Sequence, residues 1–363
     1  MFAAAIRFNL FSSLSPAMLQ VFPCLSSASL RHTNKREKTT MSIRLIVATF
    51  AVLSLSAAPA LSAPPVGFPA APPKVSPAQG AIDFHVHSEP DVFGRSMDDI
   101  DVAVLAKRKG MRALVLKNHV TMTADRAVLV MKIVPGIEIF GGIVLNNAVG
   151  GINPAAVEWM HRMSGGRGKV VWLPTFDSDM HIKTLVDPKG SGIVVAPGGA
   201  VTPQLEEVLK IIARENLVLA TGHIHAEEVM AVVKRAKELG VKNILVTHAL
   251  TNIPGLTMAQ AKEVAQAGAY IEYCYLQSMT GPDAQHAWMK HWKKVTLKDV
   301  ANVVGEIGAD HVVLSTDLGQ HGNMTHPDGM EDMITGLLKE GVSQKDVDLM
   351  VKKNPARLLG LED

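Results

Sequence analysis

The sequence predicts an α/β chain folded as a single (β/α)8 TIM barrel, on three observations. From Gly80 onward, eight apolar strand-like runs alternate with amphipathic helical stretches. Several of these runs end on His or Asp, and three of the connections that follow them are long. A barrel collects both features on its C-terminal face, where loops build a site.

The elements follow in order. Ile82–His87 is a buried apolar run, and the helix after it has Ser96 ahead of Asp98 and Asp99 and a stop at Gly110. Ala113–His119, Ile139–Asn146 and Lys169–Thr175 read as strands two to four. Asn153-Pro154 and Thr202-Pro203 are N-cap and first-turn proline pairs that open helices. Leu217–His223 and Asn243–His248 are strands five and six, with a helix near 226–239 stopping at Gly240. A helix near 257–267 stops at Gly268, and Tyr270–Leu276 and His311–Asp317 complete the set. The long connections are 176–202, 277–295 and 318–328. A doubly wound open sheet is the alternative, but it would not bring strands one, five, six and eight around one centre.

The barrel is expected over 81–363, a span that length allows as one domain. Met41-Ser42-Ile43-Arg44 followed by an apolar run to Ala58 reads as a signal peptide over 41–63. That run is too short to span a bilayer, so no stable membrane insertion is expected after processing. Export to a periplasmic or secreted location follows, with 1–40 as a mis-assigned upstream extension and 64–80 as a Pro/Ala-rich linker. With Cys24 in the discarded region, Cys274 is left alone and no internal disulfide is expected. A formal net charge of +2 without a basic block interleaved with aromatics excludes nucleic acid as the expected partner. The partner expected is a small-molecule substrate, and a homo-oligomer is compatible with the chain.

The chemistry begins at His85 and His87, which stand at i and i+2 and so share one side of a strand. His223 ends strand five, His248 strand six and Asp317 strand eight, which puts all five on the active face. Imidazoles with one carboxylate suit Zn2+, and also Mn2+ or Fe2+. Lys117 and His119 share a strand face, and a lysine there could bind a substrate carboxylate. Asn146 and Asp177, at and just past strand ends, join them as candidate substrate-binding residues. His225 begins a helix and is expected to cap or pack. His181, His286, His291, His321 and His326 each read as solvated loop residues, and with Trp288 and Trp292 as a substrate-facing lid. Tyr270, Tyr273 and Tyr275 read as strand-seven packing residues.

His85-Val86-His87, Gly222-His223, Thr247-His248, Ser315-Thr316-Asp317 and the closing segment Lys353 to Leu361 together resemble the amidohydrolase superfamily of metal-dependent hydrolases, over about 81–361. Trp172-Leu173-Pro174-Thr175-Phe176-Asp177 and Leu145-Asn146-Asn147 look like a poorly characterised amidohydrolase-related family. The resemblance implies that His85, His87, His223 and Asp317 hold a metal, with His248 a second-metal ligand or an oxyanion-polarising group. Binuclear members usually place a carbamylated lysine or a glutamate at the end of strand four. Here that strand ends Leu173-Pro174-Thr175, which favours one ion over two. A second resemblance, to the polymerase-and-histidinol-phosphatase family, rests on His85-Val86-His87-Ser88, Lys117-Asn118-His119 and Pro135 to Ile139. Asn118 stands where that family has aspartate, and Glu138 falls near the opposite face of the barrel.

The activity expected is hydrolysis of an ester, lactone or amide by metal-activated water, with Asp317 carrying the proton and His248 polarising the carbonyl. The alternatives are a decarboxylase or lyase on the same mononuclear site, a phosphoesterase, and a non-catalytic exported metal-binding protein.

Overall fold

The computed structural model describes residues 75–361. Eight parallel strands neighbour one another in sequence order. The first half runs β1 (Ile82–Val86), α1 (Asp99–Arg108), β2 (Ala113–Leu116), α2 (Ala124–Ile133), β3 (Glu138–Val144), α3 (Pro154–His161) and β4 (Gly168–Trp172). A short α4 (Asp179–His181) precedes α5 (Pro203–Arg214), β5 (Val218–Ala220), α6 (Ala226–Glu238), β6 (Asn243–Val246) and α7 (Met258–Gln266). Then come β7 (Tyr270–Cys274), α8 (Leu297–Ile307), β8 (Val312–Ser315), α9 (His326–Lys339), α10 (Gln344–Asp348) and α11 (Asn354–Leu359). Val86 bridges to Leu318, and the Asp317 N–H donates to the His85 carbonyl at 2.9 Å, which brings the end of the last strand to the first. The expected barrel is borne out. The expected segments at 1–40 and 41–63, and 64–74 of the linker, lie outside the described residues. Its last residues belong to the barrel's packing: Ala78 is buried, and Ser76 Oγ donates to Glu331 Oε1 at 2.6 Å.

Two layers of apolar side chains make the core. Phe84, Val115, Trp172 and Ala220 fill the interior, which Leu358 and Leu359 of α11 close from the N-terminal end. Outside, helices bury one stripe each against the strands. In α5, Leu205, Val208, Leu209 and Ile212 recur at i, i+3, i+4 and i+7 and are buried, each contributing roughly 1.5–3 kcal/mol. The Asn153 and Thr202 side chains cap α3 and α5 as expected. The cap of α1 is Asp98 rather than Ser96, because the Asp98 carboxylate accepts from the Asp101 N–H at 2.8 Å.

Two local departures position the site. The β1–β2 register slips between Asp83 and Val86. Phe84 therefore faces the interior and Val86 the outer core, while His87 lines the cavity at the C-terminal mouth and His85 is fully buried against Asp317. The strands also end earlier than expected. His248 and Asp317 have φ of 55° and 54°, in the left-handed region that no strand residue adopts. Strain at two non-glycine residues on one face marks a site whose surroundings enforce the conformation.

Asp83 fastens β1 to β8. Its Oδ1 accepts from the backbone N–H groups of His85 (3.2 Å) and Thr316 (2.9 Å), and its Oδ2 accepts from the Thr316 hydroxyl. Burial pushes its carboxyl up to about 7. Asp83→Ala removes the acceptor of three buried donors and is expected to cost about 2–4 kcal/mol of stability. Asp83→Asn keeps the Oδ1 acceptor and should cost clearly less. Denaturant melts of the three proteins check this.

Candidate metal centre

Asp317, at the end of β8, faces two histidines at equal distance. Its Oδ1 lies 3.1 Å from His85 Nε2 and 3.1 Å from His87 Nε2, and its Oδ2 lies 3.6 Å from His248 Nε2. The His223 ring sits 5.2 Å from the His248 ring, centroid to centroid. His85, His248, Cys274 and Asp317 each offer a ligand atom within 4.8 Å of the others. All five expected ligands therefore stand on one face, three histidines converging on Asp317 and His223 beside His248.

Gly222 makes the approach of His223 feasible. It has φ of 63°, and a side chain there would run into the Leu173 carbonyl at the end of β4. His223 is further pinned by its N–H to the Pro174 carbonyl (2.9 Å) and by Ser178 Oγ on its own carbonyl (2.7 Å).

The outer nitrogens of the rings set what the inner ones do. His85 Nδ1 faces Glu272 Oε1 at 3.3 Å, an inward carboxylate of β7 that is fully buried. A proton held on that nitrogen leaves the Nε2 lone pair for a cation. His223 Nδ1 faces His181 Nδ1 at 2.9 Å. His248 Nδ1 lies 3.1 Å from Gln277 Nε2, while Gln277 Oε1 is buried without a partner among the described residues. Turning that amide puts the oxygen on His248 Nδ1–H and satisfies both groups. Burial holds His85, His87, His223 and His248 well below the ordinary imidazole value, so they are neutral. It also raises Asp317, against the pull of Lys117. Neutral imidazoles around a desolvated carboxylate are a donor set that a divalent cation completes.

The other expected residues divide. Lys117 reaches the floor, where Nζ sits 2.9 Å from His85 Nε2 and over the Trp172 ring; burial lowers its pKa. Lys117 lines the cavity, as a candidate substrate-binding residue must, with its ammonium beside His85. His119 lines the cavity, stacks on His87 and Phe176, and bonds Thr175 Oγ1 at 2.9 Å. Asn146 and Asp177 do not line it. Asn146 donates to the His119 carbonyl (3.1 Å) and accepts from the Thr175 N–H (2.9 Å), while Asp177 Oδ2 accepts from the Asn147 N–H (2.7 Å). Both satisfy loop backbone, which corrects their assignment to substrate. Glu138 begins β3 at the far end and pairs with Arg167, so the third phosphatase-like motif does not reach the site.

Two histidines expected in solvent are buried. His181 backs His223, and His326 Nε2 donates to the His87 carbonyl at 3.0 Å. His291 and His321 are exposed, as expected. His225 caps α6 and bonds Asp179 Oδ2 at 2.9 Å. Tyr273 is buried in the core, whereas Tyr275 already belongs to the helical turn after β7. Residues that sequence reasoning missed are Glu272, Arg95 and the structural Asp83.

Burial lowers both His181 and His326 to about 4. A depressed imidazole pKa adds stability that is fully present above the unfolded value near 6.5 and is lost as pH falls through the folded value. In chelator-treated protein, stability should therefore drop between about pH 6.5 and 4, with His326 alone contributing about 3 kcal/mol of that fall. Melting curves over this range should be flatter for His326→Gln.

The cavity above these residues has a volume of about 620 Å3. All three expected long connections line it, through Phe176 and His181, Gln277 and Trp292, and Gln320. So does the β1–α1 loop, through Phe93 and Arg95, which had not been singled out.

Several solved structures share this fold. An organophosphorus hydrolase from Deinococcus radiodurans is 18% identical, covering 78% of this chain and 94% of its own at a TM-score of 0.53. A candidate 2-pyrone-4,6-dicarboxylic acid hydrolase from Pseudomonas putida is 15% identical, covering 80% and 99% at 0.52. A candidate dipeptidase, PvdM, from Pseudomonas aeruginosa is 12% identical, covering 77% and 94% at 0.51. The expected resemblance to amidohydrolase barrels is thus borne out in fold. No curated protein matches the chain's sequence. A family model matches residues 80–272, more than half of the sequence, and the chain belongs to that family, the family of unknown function DUF6282.

Proposed function

We propose that this barrel is a metal-dependent hydrolase that acts on an ester, lactone or amide of a small molecule. The observation that carries the reading is Asp317 Oδ1 held 3.1 Å from two neutral imidazole nitrogens, of which His85 has its outer nitrogen on the Glu272 carboxylate. His85, His87, His223, His248 and Asp317 would hold the ion, with Zn2+ preferred for this donor set and Mn2+ or Fe2+ as alternatives. When bound, a divalent ion supplies a Lewis acid that acidifies water and polarises a carbonyl.

The chain's own groups do the rest. Asp317 Oδ2 is the oxygen left to take the proton of an attacking water and return it to the leaving group. With its proton on Nδ1, His248 presents a lone pair at Nε2 and would serve as a ligand rather than as the donor that polarises the scissile carbonyl. One ion fits better than two. The end of β4 offers Thr175, which is already bonded to His119 and Asn146, and Asp177 is turned to loop backbone. Among the described residues no helix is long and apolar enough to cross a membrane. Export through the 41–63 segment is part of the proposal and rests on sequence alone.

The same residues could serve a decarboxylase, and product analysis separates the two. Turnover of a panel of esters, lactones and amides in 18O-labelled water should place label in the released acid without carbon dioxide. Release of carbon dioxide without label in the acid would reject hydrolysis.

A further inference from the structure

The cavity is lopsided in charge. Among the described residues that line it, Asp317 is the only carboxylate, and it lies on the floor. Two fixed cations line it, Lys117 on the floor and Arg95 on the wall. The lining also includes the apolar side chains Phe93, Phe176, Leu276, Trp288 and Trp292, and the Arg95 guanidinium lies 5.7 Å from the Phe93 ring. Phe93 and Trp288 are 42% and 45% exposed, which carries the apolar surface out to the mouth.

Arg95 is held rather than free to swing. Its side chain is only 6% exposed, its Nε donates to Asp91 Oδ2 at 2.8 Å, and its backbone pairs with Gln320. Asp91 occupies the Nε edge alone, and Nη1 has no hydrogen-bond acceptor among the described residues. Nη2 lies 3.4 Å from His87 Nδ1. Without a cation His87 Nε2–H donates to Asp317 Oδ1 and Nη1 alone stays open; with a cation held between them Nδ1 carries the proton and cannot accept. The guanidinium fork is then left facing the cavity without an anion, in a wall dry enough to make such a pair strong.

We propose that Arg95 is the anion subsite of this cavity and that its substrates are carboxylates with an aromatic or bulky alkyl body. The carboxylate pairs with the Nη groups of Arg95, the body lies against the aromatic wall, and the ester, lactone or amide group reaches Asp317. The last clause rests on the hydrolase reading; the anion subsite does not. An ammonium in place of the carboxylate would meet only like charge on the wall.

The test is equilibrium binding, read by tryptophan fluorescence and calorimetry, of phenylacetate, phenylacetamide and phenethylammonium. It uses the full-length protein as purified and again after chelation, so that a carboxylate held by metal is told apart. Phenylacetate should bind at least about tenfold tighter than phenylacetamide in both states, and phenethylammonium more weakly than either. Arg95→Gln should abolish that preference while leaving phenylacetamide affinity unchanged, which also reports an intact pocket. Arg95→Lys should restore part of it, and Lys117→Met should keep it. Absence of phenylacetate binding, a preference that survives Arg95→Gln, or one lost only in Lys117→Met would overturn the proposal. Arg95-dependent binding in a protein that hydrolyses nothing would refute the hydrolase reading alone. Hydrolysis with equal kcat/KM for neutral and carboxylate-bearing esters would refute the anion subsite alone.

Discussion

Asp317→Asn is expected to lower turnover about a thousandfold, within the range that a positioned proton-transfer group supplies. The amide cannot take a proton from water, and it is a poorer partner for a cation between His85 and His87. The fold should survive, because the side chain is isosteric and its raised pKa reflects a carboxylate that burial already disfavours. Steady-state kinetics on any substrate the wild type turns over, with a thermal melt beside them, check both halves. Wild-type-like turnover would remove Asp317 from the chemistry.

His85→Ala is expected to weaken metal binding by at least about a hundredfold. His85 faces Asp317 through Nε2 and Glu272 through Nδ1, so its loss removes one ligand and strands a buried carboxylate. Glu272→Gln separates the two effects. It keeps all five imidazole and carboxylate ligands but weakens the group that fixes the His85 proton, and should lower affinity about 10–100-fold. Metal dissociation constants from chelator competition give both numbers. Equal loss in the two variants would mean that His85 acts only as a packing residue beside Glu272.

The residues legible in the sequence were those whose position alone carries the signal. His85, His87, His223, His248 and Asp317 each follow an apolar run, and the barrel brings such ends to one face whatever the loops do. Asn146 and Asp177 show the limit of that rule. A polar residue past a strand can equally serve the backbone of the neighbouring loop, and these two do. Glu272 was hidden because an inward carboxylate in Tyr270–Cys274 looks like the polar half of an alternating strand until the barrel closes over it. Arg95 was hidden because its meaning depends on Asp91 and Gln320, contacts that no local pattern encodes. Strand ends were overdrawn for a related reason. His248 and Asp317 leave the strand conformation to aim their side chains, and propensity cannot register a φ imposed by the site.

The central claim is a single divalent ion held among His85, His87, His223, His248 and Asp317. Elemental analysis of the purified full-length protein tests it most directly, before and after chelation and again after Zn2+ is restored. About one equivalent per chain is predicted, removed by chelator, regained with Zn2+, and absent from His85→Ala. No bound metal in the wild type, or two or more equivalents that survive His85→Ala, would contradict it.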